Sequence, residues 1–118
     1  MNICFIKMHG LGNDFIVINN FTGRVNLSKE QIVSLCDRHN GIGADGLILV
    51  ESQEDAHGFM NYYNSDGTQA EMCGNGIRCV AKFLKENYFK DKIFFKVATR
   101  SGIKELMTEE DGTVSVNM

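Results

Sequence analysis

From Gly76 to about Tyr88 the chain reads "GIRCVAKFLKENY", in which Ile77, Cys79, Val80, Ala81, Phe83 and Leu84 recur at helical spacing. Only Arg78, Lys82, Lys85 and Glu86 are left to form a polar stripe. A helix with so narrow a polar face cannot lie on the outside of a small domain, so the rest of the fold must enclose it. What does the enclosing is mostly β. The runs "ICFIKM", "DFIVIN", "LILVE", "GFMNYYN", "KIFFKV", "IKELMT" and "TVSVNM" are rich in β-branched and aromatic residues. The turns "HGLGN", "NSDG", "RSG" and "EDG" punctuate them, the first carrying Asn13 and Asp14. A second helix is predicted in "NLSKEQIVSLCDRHNG". Ser28 is its N-cap, Gln31 completes a capping box, and Leu27 can staple onto Ile32. Ile32, Leu35, Cys36 and His39 then share a face over about three turns, and Asn40 with Gly41 stops the helix.

A chain of 118 residues holds one domain with a real core rather than two. No proline, repeat or low-complexity stretch marks a linker. Twelve Lys and Arg against fifteen Asp and Glu give a net charge of −3 with no basic run, which argues against nucleic acid as a partner. The N-terminus lacks the pattern of a secretory signal and no segment is long enough to span a membrane, so a cytoplasmic location is expected. In that compartment Cys4, Cys36, Cys73 and Cys79 should be thiols rather than disulfides. The last run alternates like a strand up to Met118 with no polar closure, so a further segment is expected to follow it.

Several motifs are better read as structure. "GIGADG" sets Gly41, Gly43 and Gly46 in a dinucleotide-like pattern with Asp66 further on, but that fingerprint needs a strand before it and a helix after it. Here a helix precedes and a strand follows, which makes it a turn. Cys36 with His39 could form half a zinc site, with Cys73 and Cys79 as the other half. Six residues on a helix leave two side chains about 120° apart, however, so Cys73 and Cys79 do not converge, and no metal is expected. Cys36 and Cys79 read as core residues, Cys4 as packing in the first strand, and His9 and His57 as solvated or locally hydrogen-bonded.

Cys73 differs, because "EMCGNGIRC" places it at the entrance of the enclosed helix. Unpaired amides and the positive end of the helix dipole favour an anion there, and such positions lower a thiol pKa from about 8.5 towards the range of about 3.5–7.5. Gly74 and Gly76 remove bulk, so that a ligand carboxylate can reach those same amides. A proton-trading thiol and a carboxylate cradle therefore coincide.

Four blocks, "MHGLGNDF" at 8–15, "DRHNGIGADGL" at 37–47, "YNSDG" at 63–67 and "CGNGIRC" at 73–79, resemble the N-terminal half of the diaminopimelate epimerase family in order and spacing, and the similarity covers essentially the whole chain. The resemblance implies an α+β fold: a curved, mostly antiparallel sheet wrapped around a central helix, one of two similar domains with the substrate held between them. Residues 1–118 would be the N-terminal domain, and the C-terminal domain is absent from this chain. The implied activity is a cofactor-independent, two-base isomerase that interconverts LL- and meso-diaminopimelate on the route to lysine and peptidoglycan. By motif position Cys73 would be one of two catalytic thiols, Asn13 and Asn64 would hold the substrate's polar groups, and Gly74 and Asn75 would offer amides to its carboxylate. Some members of the family carry glutamine where this chain has Gly46, so a side-chain amide contact there is missing.

Epimerisation needs a base on one face of the α-carbon and an acid on the other, and the second catalytic cysteine belongs to the absent half. The isolated chain is therefore expected to be inactive, to take diaminopimelate and the missing domain as its partners, and to expose an apolar inter-domain face that promotes homo-oligomers. Two alternatives stand beside this reading: a non-catalytic partner-docking module, and half of a related two-cysteine racemase acting on another amino acid such as proline.

Overall fold

The computed structural model describes residues 4–10, 12–71, 74–109 and 114–117. Strands β1 (Phe5–Gly10), β2 (Asn13–Asn20), β3 (Gly46–Glu51), β4 (Gly58–Asn64), β5 (Phe94–Thr99), β6 (Gly102–Thr108) and β7 (Val114–Asn117) form one sheet in sequence order. Helix α1 (Lys29–Cys36) connects β2 to β3, and α2 (Gly74–Asn87) connects β4 to β5. These two strand pairs are parallel, as helical crossovers require, and the other four are antiparallel. The sheet curls into a half-barrel around α2, which touches strands at both edges, β1 and β7, as well as β2, β4, β5 and β6.

The curl follows from the composition of α2. Gly76, Ile77, Cys79, Val80, Ala81, Phe83 and Leu84 are all buried, as the narrow polar stripe demanded. Around them pack Phe15 and Val17 of β2, Ile48 and Val50 of β3, Met60 and Tyr62 of β4, Phe95 and Val97 of β5, Leu106 of β6 and Val114 of β7. The alternate residues of β2 and β3 face the other way. Ile16, Ile18, Leu47 and Leu49 pack with Ile32 and Cys36 of α1 in a second core. "DFIVIN" and "LILVE" are thus continuous apolar runs because both faces of these strands are covered. The outer face of β5 and β6 carries the exposed Phe94, Met107 and Ile103, with Phe94 directly opposite Met107.

Local structure departs from the sequence reading in four places. Helix α2 starts two residues earlier than its apolar pattern does, since its first turn is the glycine-rich "GNG". "HGLGN" is a tighter hairpin than its glycines imply: Gly10 pairs with Asn13 and His9 with Asp14, so Asn13 and Asp14 are strand residues. Helix α1 has the capping box at Ser28 and Gln31, but it ends at Cys36 and leaves His39 exposed outside it. Its last carbonyls are taken by the returning loop, with Ile42 N and Gly43 N donating to Leu35 O and Ala44 N to Cys36 O. Asp37 accepts from His39 N and Asn40 N and turns the chain out of the helix. Cys4 is exposed and precedes β1 rather than packing in it. Ile3, where the first strand was predicted to start, and the "EDG" turn lie outside the described residues.

His57 joins β4 to β5 from the end: its backbone N donates to Lys96 O at 2.8 Å and its Nδ1 accepts from Lys96 N at 2.9 Å. The ring sits edge-on to Phe89 and Phe95. Burial first, and then the Lys92 charge, push its pKa below 6.5. Because the folded value is depressed, this stabilisation is present above about pH 6.5 and is lost as pH falls below it. A proton NMR titration of His57 should give a midpoint below 6.5, and a midpoint at or above 6.5 would contradict the assignment.

Gly46 starts β3 beneath Tyr62, where an added Cβ would lie 2.6 Å from Tyr62 Cε1 and 2.9 Å from Tyr63 O. The tyrosine ring thus fills the space next to Gly46 that a larger residue would take. Gly46→Ala should destabilise the fold by about 1–3 kcal/mol in chemical denaturation, the usual cost of overpacking; a loss below about 0.5 kcal/mol, typical of ordinary surface changes, would show that the ring moves aside freely.

Candidate active site

The first amides of an α-helix have no partner within the helix, and in α2 they begin at Gly74. Gly74 is partly buried, and among the described residues a Cβ built on it would meet nothing within 4 Å. Cys73, the expected thiol, lies outside the described residues. Next along the helix, Asn75 Nδ2 donates to Asn13 Oδ1 at 2.7 Å across 62 residues of sequence. This bond ties the mouth of α2 to the start of β2 and brings two of the four expected binding residues into contact. Asn13 Nδ2 in turn donates to Asp45 Oδ2 at 3.3 Å.

A charged cluster lies behind this pair. Arg38 forks onto Asp14, with Nη1 at 3.1 Å from Oδ2 and Nη2 at 2.8 Å from Oδ1, and Nη2 also reaches Asp45 Oδ1 at 3.2 Å. Lys7 Nζ adds an ion pair to Asp14 at 3.0 Å and donates to Gly43 O. Asp45 N donates to Asp14 O and Oδ1, and Asp14 N returns a bond to Asp45 Oδ2. Arg38 holds the Asp14 carboxyl far below the ordinary carboxylate range, against the opposing effect of burial and with help from Lys7. The cluster closes "GIGADG" over the start of β2. The motif is a structural turn, and Gly41 is required in it because a Cβ there would lie 2.0 Å from Ser34 O.

Asn64 sits at the end of β4, paired with Gly46, which also pairs with Phe15. It therefore shares the end of the sheet with Asn13 but lies two strands away from β2, roughly 10 Å at the usual strand spacing. Its side chain donates to Thr68 Oγ1 at 3.2 Å within the "NSDG" turn. Asp66 accepts from Thr68 N and Oγ1, and these bonds lower its pKa. The structure thus joins Asn13, Gly74 and Asn75, and sets Asn64 at the same end of the sheet in its own turn.

Of the other cysteines, Cys36 and Cys79 are buried in the two cores, and burial pushes the Cys36 thiol up. His39 is exposed in the loop beyond α1.

Arg100, part of the "RSG" turn in the sequence, clamps the route into α2. Beyond the last described pairing of β4 with β5, its Nη1 donates to Tyr62 O at 2.7 Å and Ala70 O at 2.8 Å, its Nη2 reaches Asn61 Oδ1, and the guanidinium lies 5.2 Å from the Tyr63 ring centroid. Nothing in "RSG" signals this, because both of its main partners are backbone carbonyls. Asp14, Arg38 and Asp45, by contrast, lie inside the quoted motifs, and their charge balance was the available sign of the cluster.

No helix among the described residues is long and apolar enough to cross a membrane. Among solved structures, the fold is similar to a PhzF-family phenazine biosynthesis protein from Bacillus anthracis, at TM-score 0.65 and 19% identity over 97% of this chain and 38% of that one. It is also similar to a methylitaconate-delta-isomerase, at TM-score 0.69 and 15% identity over 96% of this chain and 36% of that one. A PhzF-family protein from Enterococcus faecalis matches at TM-score 0.60 and 14% identity over 84% of this chain and 35% of that one. At these identities the likeness is one of fold, and the chain spans only 35% to 38% of those proteins' length. At the level of sequence, residues 5–118 match the family model described as diaminopimelate epimerase. The chain belongs to the diaminopimelate epimerase family.

Proposed function

We propose that this chain is the N-terminal domain of a two-base epimerase that interconverts LL- and meso-diaminopimelate without a cofactor, with a second domain of similar architecture closing over the mouth of α2. Family membership supports the reaction class. The observation that carries the reading to particular residues is the Asn75–Asn13 bond at the start of α2, next in sequence to Cys73.

In this reading the substrate carboxylate sits at the first amides of α2, from Gly74 and Asn75, while Asn13 and Asn64 hold other polar groups of the amino acid. The Cys73 thiolate takes the α-proton from one face as the opposing thiol delivers a proton to the other. The two sulfurs exchange protonation states in each turnover. Negative charge that develops on the carboxylate as the α-proton leaves falls next to the helix amides, where fixed donors stabilise it best. General acid–base groups typically contribute about 10²- to 10⁴-fold each, so a domain with a single thiol should not turn over.

The test is epimerising exchange, conversion of LL- to meso-diaminopimelate with deuterium taken up at the α-carbon in deuterated water, because a lone thiol could still exchange the proton on its own face. The chain alone should be silent, and mixing it with a separately produced C-terminal domain should restore exchange. Cys73→Ala in the mixture should lower exchange by at least about 10²-fold while leaving the circular dichroism unchanged. Exchange that survives Cys73→Ala would overturn the assignment, and a mixture that binds its partner without any exchange would favour the docking-module reading.

A further inference from the structure

We propose that Asp45 is a positioning residue that sets the direction of the Asn13–Asn75 hydrogen-bond chain, and through it the atoms the α2 mouth offers to an amino acid. This rests on the reading of that mouth as the substrate site. Side-chain amides are ambiguous by themselves, since Asn13 and Asn75 could pair with either one as donor. Asp45 removes the ambiguity because a carboxylate only accepts. Its Oδ2 lies 3.3 Å from the Asn13 side chain, so the Asn13 NH2 group must turn towards it. Asn13 Oδ1 is then committed to the opposite side, where it accepts from Asn75 Nδ2 at 2.7 Å. Asn75 consequently keeps its Oδ1 as an acceptor, and Asn13 keeps one N–H as a donor.

Asp45 is 42% exposed at its side chain, but it is not loose. Arg38 Nη2 holds Oδ1 at 3.2 Å, and Asp14 N donates to Oδ2 at 3.0 Å. Arg38 is itself forked onto the buried Asp14. The order therefore runs from a fixed ion pair, through Asp45, to two amides at the helix mouth. The chemistry this selects is zwitterionic: an ammonium group for the Asn75 oxygen, beside backbone amides that suit a carboxylate.

Hydrogen-bond scalar couplings in the 15N,13C-labelled chain report the direction. Wild type should show coupling from Asn75 Nδ2 to Asn13 Cγ, and coupling in the reverse sense would overturn the proposal without any variant being made. Asp45→Asn keeps the size and one acceptor but adds a donor, so the coupling should weaken or reverse, and calorimetric affinity for meso-diaminopimelate should fall about tenfold. An unchanged coupling in Asp45→Asn would refute the role. The absence of any diaminopimelate binding by wild type would instead count against the substrate reading, while the couplings would still decide what Asp45 does. A merely structural role would lower the melting temperature of Asp45→Asn and leave the coupling direction intact.

Discussion

Burial of one helix organises this domain. Ile77, Val80, Phe83 and Leu84 of α2 are at most 3% exposed, and a fully buried side chain of this kind contributes about 1.5–3 kcal/mol. Together the four rival the entire net stability of a typical domain, about 5–15 kcal/mol. No arrangement that leaves α2 on the surface is tenable, and a single flat sheet covers only one side of a helix. A curled sheet covers most of the circumference. The sequential strand order, with only two helical crossovers, lets seven strands do this without a crossing connection.

Enclosing a helix also places its end. The N-terminus of α2 emerges where β2 and β3 begin and β4 finishes, so Asn13, Gly46 and Asn64 share one end of the sheet with Gly74 and Asn75. Apolar packing settles where α2 lies but not how the polar groups at its mouth are oriented. That task falls to Arg38, Asp14 and Asp45 on one side and to Arg100 on the other, each holding a loop by charge-assisted bonds. The division of labour is physical: hydrophobic burial is strong but non-directional, whereas hydrogen bonds are modest but directional.

The same division explains what the sequence disclosed. The enclosed helix, the strand runs and the capping box at Ser28 and Gln31 were legible because each depends on residues near one another in the chain. The end of α1 was misjudged because its carbonyls are satisfied by Ile42, Gly43 and Ala44, and no helical periodicity registers a loop that folds back. The contact between Asn13 and Asn75 spans 62 residues. The family blocks suggested that both serve one ligand, but spacing could not reveal that they bond to each other. Arg100 was invisible for a further reason, since it reads carbonyl oxygens that every residue type provides.

In the proposed function, a sheet curled around α2 delivers the first helix amides, Asn13 and Asn75 as one receptor for an amino acid. The most direct measurement is a 15N-edited NMR titration of the labelled chain with meso-diaminopimelate. The backbone amides of Gly74, Asn75 and Gly76 and the side-chain amides of Asn13 and Asn75 should shift together along one binding curve. Shifts confined to the outer face of β5 and β6, or no shift at millimolar ligand, would contradict the account.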